Sequence, residues 1–128
     1  MNFEITSEIN EKTYIDEIID NKQGDGNLII RLINVNIRIF DDSNMINVYY
    51  SIALLKDYNN ILIARLESYK NGIEEEDDDL MCIFTYGNRD GIELTDANTS
   101  IILKGEKADE FVDKLLPVLL ENRDRYTE

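Results

Sequence analysis

The sequence predicts an α+β fold, with a curved antiparallel sheet of about five or six strands in a meander, a short N-terminal helix and a longer C-terminal helix. Three observations predict this fold. Apolar and polar residues alternate along several stretches between residues 27 and 103, turn-forming segments separate these stretches, and apolar residues recur at helical spacing after residue 106. The length of 128 residues fits one domain, so we predict a single α+β domain over residues 1–128.

The N-terminal segment predicts a short strand followed by a short helix. Phe3–Ile5 alternates between apolar and polar residues, as a strand does. Apolar residues then recur at helical spacing after Asn10 or Thr13, either of which could cap a helix; these residues are Tyr14, Ile15, Ile18 and Ile19. Gly24 and Gly26 predict the end of this helix.

The stretch from Asn27 to Phe40 predicts a long strand with an irregularity. Its apolar residues are Leu28, Ile30 and Leu32 in one phase and then Ile33, Val35, Ile37 and Ile39 in the other. Because alternate residues of a strand lie on opposite faces, such a change requires a bulge or a bend unless both faces are covered. We therefore predict strong curvature near Leu32–Ile33.

The next segments continue the meander. The turn "DDSN" at 41–44 leads into a strand whose apolar residues are Ile46, Val48, Tyr50, Ile52 and Leu54. The turn "DYNN" at 57–60 leads into "ILIARLESY", which we interpret as another strand. Further along, Leu80, Cys82, Phe84 and Tyr86 alternate, "GNRDG" at 87–91 predicts a hairpin turn, and "SIIL" at 100–103 predicts a last short strand.

The C-terminal segment predicts an amphipathic helix that begins near Glu106. Acidic residues occupy its first turn, where the helix dipole favours negative charge. Its apolar face is wide enough to pack on a sheet and consists of Ala108, Phe111, Val112, Leu115, Leu116 and Leu119.

The composition disfavours several classes of function. The chain has no His and one Cys, so it lacks the commonest general base and zinc ligand and cannot form an internal disulfide. No phosphate-binding glycine loop, dinucleotide-binding fingerprint or nucleophile elbow occurs. We expect a protein that is not an enzyme, with no catalytic residues, no cofactor and no metal site. Cys82 is interpreted as a small buried apolar residue in phase with Leu80 and Phe84.

The net charge limits the kinds of partner that the protein can bind. Thirteen Lys and Arg against 27 Asp and Glu give −14, which repels phosphate backbones and anionic lipid headgroups. We therefore expect no direct binding to nucleic acid or to membranes. The N-terminal residues do not resemble a secretory signal, and no apolar run approaches the length of about 18 residues that a membrane span needs. We expect a cytoplasmic location.

The negative charge is concentrated. Residues 67–96 carry −8, whereas residues 27–66 carry +1. Six consecutive carboxylates form the centre of this region, and they are Glu74, Glu75, Glu76, Asp77, Asp78 and Asp79. We predict an exposed loop between two antiparallel strands. Two interpretations are open. The run is a solvated loop whose role is to keep the protein soluble, or it imitates a line of phosphates and attracts a basic cleft that normally holds nucleic acid.

A second candidate for partner binding is Tyr49. Tyr49 and Tyr50 are adjacent in a predicted strand, so Tyr50 faces the core with Val48 and Ile52 while Tyr49 faces outward. Tyrosine is enriched at protein interfaces. An exposed Tyr49 is therefore interpreted as part of a binding surface.

These observations favour a small acidic inhibitor that binds the basic, nucleic-acid-handling surface of another protein, such as a nuclease. Immunity proteins against nuclease toxins and phage anti-CRISPR proteins have this general character, being small, acidic and without catalytic motifs. The alternative is a non-catalytic assembly or adaptor module that forms a homo-oligomer through its sheet face. The two hypotheses differ in their response to salt, because salt weakens electrostatic binding and leaves an apolar interface intact.

Overall fold

A computed structural model describes residues 1–15, 27–73 and 82–126. Six strands and two helices are described: β1 (Asn2–Ile15), β2 (Asn27–Asp41), β3 (Ile46–Leu54), α1 (Lys56–Lys70), β4 (Ile83–Tyr86), β5 (Gly91–Thr95), β6 (Ser100–Leu103) and α2 (Glu106–Asn122). The fold is therefore α+β, as predicted. Short 3-10 turns follow β2, β4 and α2, at Asp42–Asn44, Gly87–Arg89 and Arg123–Arg125.

The strands form two antiparallel sheets of three strands each, ordered β1-β2-β3 and β4-β5-β6. The prediction of one sheet with five or six strands was wrong. The reason is α1, which lies between β3 and β4 and separates the meander into two parts. The predicted turns at 41–44 and 87–91 and the predicted strands β3 and β6 are confirmed.

Helix α1 corrects the prediction that "ILIARLESY" is a strand. Its buried residues recur at helical spacing and are Asn59, Leu62, Ile63, Arg65, Leu66 and Tyr69. A short apolar run such as Ile61–Ile63 is ambiguous in isolation, because its length fits a strand or a buried helical turn equally well. Asn59 then ties α1 to α2, since its side-chain amide donates to the Leu119 carbonyl at 3.2 Å.

Strand β1 corrects the predicted N-terminal helix. Tyr14 and Ile15 are strand residues and pair with Leu28 and Asn27 of β2, and both proposed helix caps also lie within β1. Pairing with a long neighbouring strand outweighs the local helical spacing, because propensity and pattern are weak against tertiary partners. The remaining residues of that predicted helix, Ile18 and Ile19, and the glycines at 24 and 26 lie outside the described residues.

The register of β1 on β2 is unbroken from Asn2 opposite Phe40 to Ile15 opposite Asn27. The change of phase at Leu32–Ile33 therefore involves no bulge in this pairing. It coincides with the end of β3, because Ile33 pairs with Leu54, the last residue of β3. The three-stranded part of the sheet thus ends where the apolar phase changes.

The buried apolar residues of both sheets and both helices form one core. Helix α2 begins at Glu106 as predicted, and all six residues of its predicted apolar face are buried. Its Phe111 packs on Phe3 of β1 with ring centroids 5.7 Å apart in an edge-to-face arrangement. Helix α2 therefore closes the core against the first sheet.

The two sheets are joined through Tyr50 of β3. Its hydroxyl donates to the Leu94 carbonyl of β5 at 3.2 Å and accepts a hydrogen bond from Thr99 Oγ1 at 3.1 Å. Tyr50 is buried, so these bonds satisfy a hydroxyl that burial would otherwise leave without a partner.

Strand β4 has the opposite phase from the one predicted. Ile83 is fully buried, whereas Cys82 and Phe84 are half-buried. The sequence allowed both phases, because Leu80, Cys82 and Phe84 are apolar in one phase and Met81 and Ile83 are apolar in the other. The hairpin turn and the packing on β5 select Ile83 for the core.

Candidate functional site

The structure places Tyr49 where the sequence predicted it. Tyr49 is 64% exposed and its neighbour Tyr50 is 3% exposed, so the alternation along β3 is confirmed. The acidic run Glu74–Asp79, together with Leu80, lies outside the described residues. The element that precedes the run is the helix α1 rather than a strand, so the prediction that the run joins two antiparallel strands was wrong.

Tyr49 belongs to the face of the first sheet that points away from the core, which we call the outer sheet face. Strand register brings its residues together in rows across β1, β2 and β3: Glu4 opposite Arg38 opposite Tyr49, and Thr6 opposite Asn36 opposite Ser51. These six residues line a shallow groove of about 370 Å³. Phe40 and Asn47 form the adjoining row.

Arg38 organises the outer sheet face. Its guanidinium lies 4.2 Å from the centroid of the Phe40 ring and 5.6 Å from that of Tyr49. It donates to Glu4 Oε1 at 3.1 Å and to Asn47 Oδ1 at 3.1 Å. Cation–π contacts and charge-assisted hydrogen bonds together fix its orientation, so the Tyr49 ring is part of an ordered surface.

The second row of the face is also ordered by hydrogen bonding. Ser51 Oγ donates to Asn36 Oδ1 at 2.9 Å. Since aromatic residues and Arg are enriched in protein interfaces, and ordered side chains lose little entropy on binding, the outer sheet face has the character of a protein-binding surface. Its Glu4–Arg38 pair leaves it close to neutral at its centre.

Sequence reasoning missed Arg38, Phe40 and Glu4. The signal that could have found Arg38 and Phe40 is the turn at 41–44, because a hairpin turn fixes which residues of its two strands lie opposite one another. Pairing Asp41 with Ile46 places Arg38 opposite Tyr49. Glu4 could not be found in this way, since residues 16–26 separate β1 from β2 in the sequence and no short polar turn such as 41–44 sets their register.

Most positive charges of the described residues are held by internal contacts. Lys70 pairs with Asp113 at 3.1 Å, Arg125 pairs with Glu121 at 3.0 Å, and Arg89 pairs with Asp109. Three others donate to main-chain carbonyls: Arg31 to Arg125, Lys107 to Met1 and Lys114 to Phe3. These side chains therefore neutralise or brace the protein itself.

Carboxylates remain in excess on the surface. Among the described residues, several exposed ones have no salt bridge; they are Glu8, Asp42, Asp57, Glu67, Asp90, Glu106 and Asp124. In Asp96, hydrogen bonds from the backbone N–H groups of Thr99 and Asn98 lower the pKa, and in Glu93 hydrogen bonds from Tyr86 and Ser100 do the same. Both carboxylates are thus held in the charged form.

Two further observations bear on function. Within residues 1–15, 27–73 and 82–126, no helix has the length and apolar character needed to cross a membrane. Comparisons with protein-family models, with curated proteins and with solved structures find no match for this chain.

Proposed function

We propose that the protein is a non-catalytic inhibitor whose acidic surface binds the basic, nucleic-acid-handling surface of another protein. The observation that carries this proposal is the distribution of charge. The chain has a net charge of −14, of which residues 67–96 hold −8, and most of the described cations are engaged in contacts within the protein. An anionic field of this kind steers a basic partner and raises its association rate by about ten to a thousandfold.

In this proposal Glu74, Glu75, Glu76, Asp77, Asp78 and Asp79 supply the main electrostatic attraction, and Tyr49 supplies an aromatic contact. The division of labour follows from the chemistry of the two groups. Exposed ion pairs contribute about 0–1 kcal/mol each and act collectively, whereas a single ordered aromatic ring can contribute about 2 kcal/mol or more at an interface.

The test uses a partner isolated at low salt, identified, and then purified. Neutralising all six carboxylates of the run to Gln or Asn should slow association many-fold at low salt and make the remaining affinity less dependent on salt. Nucleic acid should compete with the wild-type protein for the partner.

A matched control removes the same number of charges elsewhere. Glu8→Gln, Asp42→Asn, Asp57→Asn, Glu106→Gln, Glu110→Gln and Asp124→Asn, made together, give the same net charge as the six changes in the run. The proposal requires the run variant to associate more slowly than this control. Equal rates for the run variant and the wild-type protein at all salt concentrations would reduce the run to a solubility device.

The second candidate function is assembly into a homo-oligomer through the outer sheet face. The observation that favours it is an exposed Tyr49 beside a Glu4–Arg38 pair that neutralises the centre of the face, since two copies can then meet without like-charge contact. Sedimentation velocity across a salt series tests it. A dimer that persists at high salt and is lost in Tyr49→Ala supports assembly, whereas a monomer at every salt concentration leaves the inhibitor proposal.

A further inference from the structure

A groove of about 500 Å³ runs beside the free edge of β6. One side is formed by the end of the β2–β3 turn and the start of β3, and the other by the start of β6. All its lining residues are uncharged: Met45, Ile46, Asn47, Val48, Thr99, Ser100 and Ile101. Apolar side chains and strand backbone therefore border the same space.

The hydrogen bonds of the second sheet show which backbone groups face this space. In an antiparallel pair, alternate residues direct both N–H and C=O toward the partner strand, and the residues between them direct both groups away. The Asp96 N–H donates to the Thr99 carbonyl at 2.9 Å on the side of β6, and the Thr95 N–H donates to the Cys82 carbonyl at 2.9 Å on the side of β4. It follows that Ile101 and Leu103 bond to β5, while Ser100 and Ile102 direct their backbone groups away from it.

The outer edges of β1, β3, β4 and β6 all lack a partner among the described strands, and side chains reach carbonyls at the ends of the first two. Lys107 and Lys114 of α2 reach carbonyls at the start of β1, and Tyr126 donates to the carbonyl of Leu54 at the end of β3 at 3.1 Å. Among the described strands none pairs with the outer side of β6. Proteins usually cover or charge a free edge, because unpaired backbone groups are a template for another strand.

Exposed apolar side chains adjoin this edge. Ile102 is 53% exposed, and Met45 is 92% exposed in a left-handed conformation with φ 57°. A long apolar side chain is seldom held in this way on a turn, since that region of φ is uncommon for residues other than Gly, Asn and Asp. Unpaired backbone groups, a groove and exposed apolar side chains thus coincide at one place.

We propose that the β6 edge is a docking site for an extended, basic segment of a partner protein, which adds to the second sheet as a fourth strand and lies in the groove beside β3. Charge complementarity selects this occupant. The turns that precede the two lining segments carry Asp42 and Asp96, and a second copy of a chain with net charge −14 would add like charge at the same place.

The geometry of an added strand also predicts the residue pattern of the docked segment. Alternate side chains of an added strand point to opposite faces, so one set would contact the apolar groove near Val48 and Ile101 while the other faces solvent and the acidic turns. Apolar and basic residues should therefore alternate along it. The proposal rests on the proposed function for the sign of the partner's charge, and it concerns a surface separate from residues 74–79.

The test uses synthetic peptides of seven residues that alternate Lys and Val, added to the ¹⁵N-labelled full chain. Amide signals of Ser100 and Ile102 should shift, and their hydrogen exchange should slow. N-methylation of alternate peptide amides should weaken binding about tenfold in one register and leave it unchanged in the other, because only one set donates to β6. Equal binding of both N-methylated series would overturn the proposal.

A peptide of equal charge with Pro at alternate positions controls for attraction to the acidic surface as a whole, and it should leave the signals of Ser100 and Ile102 unshifted. The same titration on the protein with residues 74–79 neutralised separates the two proposals. If the signals of β6 still shift in this variant, the peptide docks at the β6 edge whatever the role of the acidic run. If these shifts disappear, the peptide is held by the acidic run instead, which would overturn the docking proposal.

Variants of Ile102 test the same site from the protein's side. Ile102→Pro removes an outward N–H without removing a bond to β5, whereas Ile102→Ala keeps that N–H and serves as the matched control. The Pro variant should bind the peptide about tenfold more weakly than the Ala variant. If the Pro variant does not fold, the N-methylated peptides decide the question on the wild-type protein. Self-association that Ile102→Pro abolishes would assign the edge to a second copy and overturn the basic partner.

Discussion

The two sheets share one core but differ in the way their edges are treated. The first sheet has strands of 14, 15 and 9 residues, and lysines and a tyrosine reach carbonyls along its edges. The second sheet has strands of 4, 5 and 4 residues, and the described strands leave the outer side of β6 free. Side chains therefore contact the ends of the first sheet's edge strands, whereas no described strand pairs with the outer side of β6.

The outer faces of the two sheets also differ in the side chains that order them. On the first sheet, Arg38 is held by Glu4, Asn47 and two aromatic rings. On the second sheet, Glu93 accepts hydrogen bonds from the Tyr86 hydroxyl and from Ser100 Oγ, so one carboxylate connects all three short strands. Hydrogen bonds across strands thus supply order that the short strands could not obtain from backbone pairing alone.

The largest expected loss of stability concerns Phe111. This residue lies in the core that both sheets share and packs on Phe3 of the first sheet. Phe111→Ala should lower the free energy of unfolding by about 3–5 kcal/mol, since it removes a fully buried ring from a packed core. Chemical denaturation measures this loss. Asp113→Ala, on the exposed side of the same helix, is the control and should cost at most about 1 kcal/mol.

Hydrogen exchange on the Phe111 variant sharpens this result. If the sheets form one cooperative unit, the amides of Val35 and Leu94 should lose protection together. Loss of protection confined to the first sheet would divide the molecule into two units, and a stability loss under about 1 kcal/mol would place the apolar face of α2 outside the core.

The next effect is specific to the second sheet. Gly91 has φ +134°, and a Cβ atom there would lie 2.9 Å from the Leu103 carbonyl oxygen. Gly91→Ala should cost about 2–4 kcal/mol through backbone strain and this contact. Gly105→Ala, with φ +60°, ψ −131° and no atom within 4 Å of the added Cβ, should cost about 1–3 kcal/mol through backbone strain alone. Equal losses would show that the contact of the added Cβ with the Leu103 carbonyl is relieved without cost.

A smaller effect is expected at the link between the sheets. Tyr50→Phe removes the two hydrogen bonds of the buried hydroxyl and should cost about 1–2 kcal/mol. Tyr49→Phe changes an exposed side chain in the same strand and should stay within about 0.5 kcal/mol. Thermal unfolding measures the stability loss of each variant. A larger loss in Tyr49→Phe than in Tyr50→Phe would show that the Tyr50 hydroxyl does not link the two sheets.

The smallest effect is a dependence on pH at the end of β3. Burial raises the pKa of Tyr126 to about 12 from its ordinary value of 10.0. A raised pKa means that the folded state favours the neutral phenol, so the contribution of Tyr126 to stability is complete below pH 10 and declines as the pH rises from 10 to 12. The stability difference between the wild-type protein and Tyr126→Phe should shrink over that range, and a constant difference would contradict it.

The sequence predicted the elements whose pattern has one physical solution. In β3 the alternation from Ile46 to Leu54 is bounded by a polar turn, and in α2 the six apolar residues fit a helix and no strand. The ambiguous elements were predicted wrongly. The run Ile61–Ile63 fits a strand or a helix, and Tyr14 with Ile15 fits a helix until β2 is present as a partner.

Some features of the candidate surfaces could likewise be predicted from the sequence, and others could not. The sequence by itself determined the net charge, the position of the acidic run and the exposure of Tyr49, because charge adds along the chain and alternation in a strand is local. Only the tertiary structure decided that Arg38 and Glu4 join Tyr49, that α1 separates the strands into two sheets, and that the edge of β6 stays free among the described strands. These features depend on which strands become neighbours, and that choice is made by contacts between residues distant in sequence.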